Sequence, residues 1–252
     1  MCVLPPFFAT QTYTATGPGT YYFYTKDQAG NVSNQSVTIS NGTLSVSASN
    51  YSGTYDGAAH GISVSCSGAT ITYSTTQNGT YSSTKPTYTD VGTYTTYYKV
   101  VRTGYTTVTG SKTVTISAAT PTLTLANKTA TYSGSAISIG TATATGVTNG
   151  TTPSGTITYT YYTDSSCSTK TPTSTGASAV GGAPKNAGTY YVRATIEAAG
   201  NYTSATSNVA TLTIGKAAGS VVLDATTGSI AYPNTTSFNV TTNKSGGTLT
   251  VS

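Results

Sequence analysis

The stretch NAGTYYVRATIEAAGNYTSATSNVATLTIG, Asn186 to Gly215, decides how the rest of the chain is read. It holds three tyrosines, one of two arginines and the lone glutamate of the sequence, so it could pass for a gathered binding site. Apolar and polar residues nevertheless alternate along it: Tyr190, Val192, Ala194 and Ile196 fall on one side, and Tyr191, Arg193 and Glu197 on the other. That two-residue period is the signature of a strand with one buried face. The segment AAGNY then supplies a turn, and a second strand closes on Thr213-Ile214.

The pattern recurs. GPGTYYFYTKDQAGNVSNQSVTIS spans Gly17 to Ser40, and DVGTYTTYYKVVRTGYTTVTGSKTVTIS spans Asp90 to Ser117. Each has Gly-Thr-Tyr, an alternating strand, a glycine-bearing turn and a terminal Thr-Ile. The closing isoleucines, Ile39, Ile116 and Ile214, lie 77 and then 98 residues apart. A second marker keeps step, because Tyr55 in GTYDGAAHGISVS and Tyr132 in ATYSGSAISIGTA are also 77 apart. Two markers with one spacing indicate tandem modules. The expected organisation is a C-terminal half-module over 1–40, complete modules over 41–118 and 119–216, and an N-terminal half-module over 217–252, as in a fragment of a longer array.

Composition sets the class. Charged residues make up 7% of 252, against roughly 25% in an average globular chain. Thr, Ser, Gly, Tyr, Ala and Val replace them, and this mixture favours strands over helices. Short strands punctuated by Ser52-Gly53, Asp56-Gly57, Asn78-Gly79 and Thr103-Gly104 indicate an all-β protein of tandem sandwiches. In the first complete module the expected strands are TLSVSAS, GISVSCS, ATITYSTT, TYTTYYKVVR and SKTVTIS. The longer middle of the next module ends in TPTSTGASAVGGAP, residues 171–184, which reads as a surface loop.

The same composition narrows function. The net charge of +5 comes from eleven scattered Lys and Arg, not from a basic stripe, which argues against nucleic acid as a partner. No apolar run is long enough for a membrane span, and MCVLPPFFAT is too short for an export signal. Cys2, Cys66 and Cys167 are odd in number and far apart, so no disulfide framework is expected. Cys66 shares a strand face with Ile62 and Val64 and reads as a small core residue; Cys167 reads as an exposed loop residue. A single histidine, His60, and no clustered cysteines exclude a zinc site and leave no cofactor to expect.

Six carboxylates, Asp27, Asp56, Asp90, Asp164, Glu197 and Asp224, never stand adjacent and offer no hydrolytic pair. Asp56 near His60 is the nearest approach to a catalytic constellation, with no GxSxG elbow to complete it. The expectation is that the chain is not an enzyme. The remaining candidates for ligand binding are outward tyrosines on the repeated strand, Tyr22, Tyr24, Tyr97 and Tyr191, of which Tyr97 and Tyr191 are singled out. Their rings could stack on glycans or meet host or bacterial surface proteins.

Asp90-Val-Gly92-Thr-Tyr94 resembles the Asp-x-Gly-x-Tyr pattern of immunoglobulin domains. That resemblance implies that Tyr94, and with it Tyr21 and Tyr190, turns its hydroxyl back onto the chain at a strand corner. TYDGAAHGISVS with VGTYTTYYKV, and KNAGTYYVRATIEAAGNYTSATSNVATLTI, resemble the bacterial immunoglobulin-like repeats of large surface proteins, including the YDG type. GSIAYPNTTSFNVTTNKSGGTLTVS resembles the start of another bacterial immunoglobulin-like type. The resemblance implies an extracellular stalk or adhesive array on a bacterial surface or secreted protein, beside neighbouring modules of a longer chain. Related modules also decorate phage tails and capsids. Some such sandwiches carry a Lys–Asn or Lys–Asp isopeptide bond, for which Lys99 with Asp56, or Lys185 with an asparagine, would be the candidates.

Overall fold

The computed structural model describes residues 12–172, 181–223 and 240–242. All regular structure among them is strand: β1 (Gly19–Lys26), β2 (Val32–Ile39), β3 (Ser47–Ser49), β4 (Tyr51–Thr54), β5 (Ser63–Ser65), β6 (Thr70–Ser74), β7 (Gly92–Val101) and β8 (Val108–Ser117). There follow β9 (Thr122–Thr124), β10 (Lys128–Thr131), β11 (Thr143–Thr145), β12 (Ile157–Tyr162), β13 (Gly188–Ile196), β14 (Ala205–Thr206), β15 (Ala210–Gly215), β16 (Val221–Leu223) and β17 (Val240–Thr242). Two compact units form, Met1–Ala119 with Val147–Thr151, and Thr120–Gly146 with Thr152–Ser252.

Each unit contains the same pair of sheets. In the first, β4-β8-β7-β6 make one sheet and β3-β5 the other, and His60 and Tyr88 form a separate antiparallel bridge. In the second, β10-β15-β13-β12 make one sheet, with β14 on β13, and β9-β11 the other. The short first strand therefore pairs antiparallel in one sheet, and its continuation pairs parallel with the last strand in the other. This is an immunoglobulin-like sandwich topology. Cys66 and Cys167 are free thiols, so neither unit is stapled by them, and Cys2 lies outside the described residues.

The register repeats as well. Gly19 faces Ile39, Gly92 faces Ile116 and Gly188 faces Ile214 across the three hairpins. Gly53 lies beside Ile116 and Ala130 beside Ile214 in the parallel pairs. A sheet register slipped by one residue would exchange core and solvent faces, so this agreement ties the two sequence markers to one geometry.

Alternation decides the core. Thr96, Tyr98 and Val100 are buried on β7, with Val114 and Ile116 beside them on β8. In the second unit Val192, Ala194 and Ile196 pack with Leu212, Ile214 and Tyr161 on one sheet and Leu123 and Ala142 from the other side. Each fully buried Val, Ile or Leu contributes about 1.5–3 kcal/mol of transfer free energy. The one fully buried threonine of β7 is satisfied, as the Thr96 hydroxyl meets that of Tyr88 at 3.2 Å.

Several expectations are corrected. Ser52-Gly53 is not a turn: both residues sit inside β4, whose partner is the parallel edge of β8. TLSVSAS is not one long strand, because only Ser47–Ser49 pair before the chain changes sheets at Asn50. At that crossing the Asn50 side-chain carbonyl accepts the Thr113 amide at 3.0 Å, and Asn127 accepts Thr211 at 2.8 Å in the second unit. A side chain thus supplies the acceptor that the kinked backbone withholds.

Cys66 lies just beyond β5 and is half-buried, not a sealed core residue; the alternating face thins out once the pairing ends. Cys167 is half-buried as well, not exposed, and holds a left-handed backbone (φ 56) in a tight turn. The ends of the 171–184 segment are tied down instead of lying on the surface. Thr171 is 2% exposed, its amide donates to Tyr161 O, and Gly181 O accepts the Tyr161 amide. Its residues 173–180 lie outside the described residues, as do MCVLPPFFAT and most of the 217–252 half-module.

The β1-β2 hairpin differs from its two counterparts in burial. Phe23, Val37 and Ile39 occupy the inward register yet are 42%, 50% and 40% exposed. Tyr55 and Tyr132, equivalent by spacing, also part company, at 3% and 39% exposed.

Candidate functional site

The repeated corner tyrosines are placed alike. Tyr21 donates to Gly17 O at 2.7 Å, Tyr94 to Asp90 O at 3.2 Å and Tyr190 to Asn186 O at 3.0 Å. In each case the acceptor is four residues back, so the hydroxyl bridges the corner that the preceding Gly-Thr opens. The Tyr94 ring also stacks on Tyr88 with centroids 4.2 Å apart. These tyrosines have their hydroxyls engaged within the chain and are scaffold.

His60 and Asp56 do come together. His60 Nε2 lies 2.9 Å from Asp56 Oδ1, and the imidazole stacks on Tyr51 at 4.2 Å. The imidazole hydrogen bond, followed by the Ala58 amide, holds the Asp56 carboxyl below its ordinary range. No serine hydroxyl bonds the ring among the described residues, and the pair closes the turn ahead of the His60–Tyr88 bridge. Lys99 is exposed on the outward face of β7, between Thr72 and Thr109 in register, and Lys185 is exposed too, so the structure brings neither lysine to an isopeptide partner. Among the described residues no three His, Cys, Asp or Glu side chains converge as metal ligands, and no helix is long and apolar enough to cross a membrane.

The outward tyrosines separate into two positions once register is used. Counting from the Gly of each Gly-Thr-Tyr, Tyr22 and Tyr191 share one position, and Tyr24 and Tyr97 the other. Tyr22 and Tyr24 are 60% and 65% exposed and stack on each other. Tyr191 is half-buried, with Tyr162 and Thr211 opposite it in register, which is ordinary cross-strand packing.

Tyr97 is different. It is half-buried in the floor of an outward cleft of about 480 Å³, lined by Gln77, Asn78, Tyr81, Tyr97, Lys99, Thr109, Gly110 and Ser111. The floor is built from register pairs Tyr97–Ser111 and Lys99–Thr109 of β7 and β8. The wall is the turn after β6, closed by Gly79 N to Thr76 O at 3.2 Å and Tyr81 Oη to Gln77 O at 3.1 Å. The geometry juxtaposes aromatic rings, two amides, two hydroxyls and one ammonium, a set able to hold a small polar ligand.

Asp164, which the sequence offers only as one of six scattered carboxylates, organises the matching turn of the second unit. The Asp164 carboxylate accepts the Ser166 hydroxyl, the Thr169 amide at 2.7 Å, the Ser168 hydroxyl at 3.0 Å and the Ser168 amide at 3.1 Å. These donors, the Ser166 hydroxyl foremost, push its pKa well below the aspartate range. The available signal was local: an aspartate followed by Ser-Ser-Cys-Ser-Thr at an expected turn, a setting in which Asp caps nearby amides.

No protein-family model matches the chain, and no curated protein matches it. Among solved structures, it is similar to protocadherin gamma B2 extracellular cadherin domains 3–6, at 15% identity over 85% of this chain, with a TM-score of 0.27. Drosophila N-cadherin EC1-4 matches at 12% identity over 81% of this chain, TM-score 0.29, and Sidekick-1 immunoglobulin domains 1–5 at 12% over 74%, TM-score 0.25. The chain spans 60%, 59% and 42% of those three. Scores this low assign no role.

Proposed function

We propose that the chain is part of a non-enzymatic, extracellular stalk or adhesive array of immunoglobulin-like modules on a bacterial surface or secreted protein. The observation that carries this reading is the parallel pairing that joins the entering and leaving strands of each unit. β4 runs beside β8 through four residue pairs, and β10 beside β15 through four. Pulling a unit by its two ends moves these strands in opposite directions along their length. All the ladder hydrogen bonds then bear load together, whereas opening a hairpin from its end breaks them in succession. The repeated corner bonds and the hydroxyl-rich surface fit a load-bearing spacer built from one reused plan, and the likeness to YDG-type repeats supports the bacterial setting.

Force spectroscopy on the full chain tests it. Handles at Asn41 and Ala118 load β4 against β8 in shear; handles at Val91 and Ala118 unzip β7 from β8. The shear geometry is expected to give discrete events at clearly higher force than the unzipping geometry. Equal forces, or no discrete event in shear, overturn the stalk reading.

A further inference from the structure

We propose that the cleft around Tyr97 and Lys99 is a binding site for an acidic saccharide, a unit bearing a carboxylate on a sugar ring. The stalk reading neither requires nor supplies this site. Its polar groups are unspent: the side-chain amides of Gln77 and Asn78, the Lys99 ammonium and the hydroxyls of Thr109 and Ser111 make no hydrogen bond to other described residues. Exposed groups with no partner in the chain are available to a ligand. Each has a counterpart in sugar chemistry. The faces of Tyr97 and Tyr81 suit the apolar C–H face of a pyranose. A primary amide donates and accepts at once, as vicinal hydroxyls do. The single ammonium suits one carboxylate, and no acidic side chain lines the cleft to oppose it.

Size and charge fit a small acidic ligand and not a nucleic acid backbone. About 480 Å³ is the range of small-molecule sites and accommodates one or two sugar rings. One lysine neutralises a single phosphate, far short of what a nucleic acid backbone requires for affinity. The wall is set before any ligand arrives, since Tyr81 and Gly79 close its turn, and prior ordering lowers the entropic cost of binding.

Among the described residues, this combination of side chains stands in the first unit. Counting from Gly92 and Gly188, the second unit places Arg193 where Tyr97 stands. In its corresponding turn the Ser166 and Ser168 hydroxyls and the Ser168 and Thr169 amides are taken up by Asp164. A generic property of the scaffold would appear in both units.

Titration calorimetry of the full chain decides the matter, with a tetrasaccharide of alternating glucuronate and N-acetylglucosamine as probe and its carboxyl-reduced, uncharged counterpart as control. Binding of the acidic probe is expected with Kd in roughly the micromolar-to-millimolar range, weakening by about tenfold for Lys99→Gln and for the uncharged control. Gln77→Ala with Asn78→Ala, two exposed positions on a turn, is expected to cost a similar factor while the melting temperature stays put. Tyr97→Ala is expected to abolish binding. No heat with either sugar, equal affinity for the charged and reduced probes, or affinity indifferent to Lys99→Gln and the amide pair each overturns the proposal. None of these outcomes touches the shear-force test.

Discussion

Two tyrosine hydroxyls of the second unit make similar hydrogen bonds, and removing them should cost very different amounts. Tyr190 donates to the carbonyl of Asn186 at an exposed corner. After Tyr190→Phe that carbonyl turns to water, so the loss is the net value of one hydrogen bond, about 0.5–1.5 kcal/mol. Tyr161 is 4% exposed, and its phenol oxygen accepts the Ile139 amide at 3.0 Å, where Ile139 is also 4% exposed. Tyr161→Phe strands that amide without water or partner and carries the desolvation penalty of an unmade bond, about 1–3 kcal/mol. For a unit of this size 2 kcal/mol corresponds to a fall in Tm on the order of 10 °C, with Tyr190→Phe lowering it by roughly half as much. Calorimetry of the full chain, following the transition of the second unit, compares them directly. A Tyr190→Phe loss as large as that of Tyr161→Phe, or a Tyr161→Phe protein that melts with the parent, would refute this difference in burial cost.

The same phenol makes a pH prediction. Burial raises the Tyr161 pKa above its ordinary 10.0, so the folded state keeps a proton that the unfolded chain releases. Its contribution is complete below pH 10 and fades as pH rises beyond; the alkaline slope of the urea midpoint should flatten in Tyr161→Phe. At the acid end the sign reverses. Asp164 has a depressed pKa, so its contribution is present above the ordinary 3.8 and is lost as pH falls below it, and Asp164→Asn should flatten that limb. Asn127→Ala removes the acceptor of the Thr211 amide where the first strand changes sheets, and should cost about 1–2 kcal/mol in denaturant unfolding. Gly155→Ala would drive a methyl into the Glu197 carbonyl, whose carbon would stand 2.9 Å away, and should cost about 1–3 kcal/mol by the same assay.

The half-buried strands were readable from letters because their period is two and the core is one-sided. Val192, Ala194 and Ile196, like Thr96, Tyr98 and Val100, had no other arrangement that kept apolar groups from water. Turn glycines were readable for a related reason: Gly57 and Gly104 hold positive φ, which few other residues tolerate. Of the candidate cleft, Tyr97 was legible as an outward aromatic, and nothing more. Gln77 and Asn78 read only as turn formers, because what makes them a wall is the fold of that turn over β7 and β8.

By itself the sequence determined where the long hairpin strands lie, which face of each is apolar and that one plan is reused at two spacings. These are local properties, set by side-chain alternation and backbone preference within a few residues. Tertiary structure alone decided where the first strand leaves one sheet for the other, that Ser52-Gly53 continues a strand, that Thr171 and Gly181 anchor what reads as a loop, and that Tyr97 has neighbours Tyr191 lacks. Each depends on a backbone partner or a wall ten or more residues away, and no local pattern encodes a partner that distant.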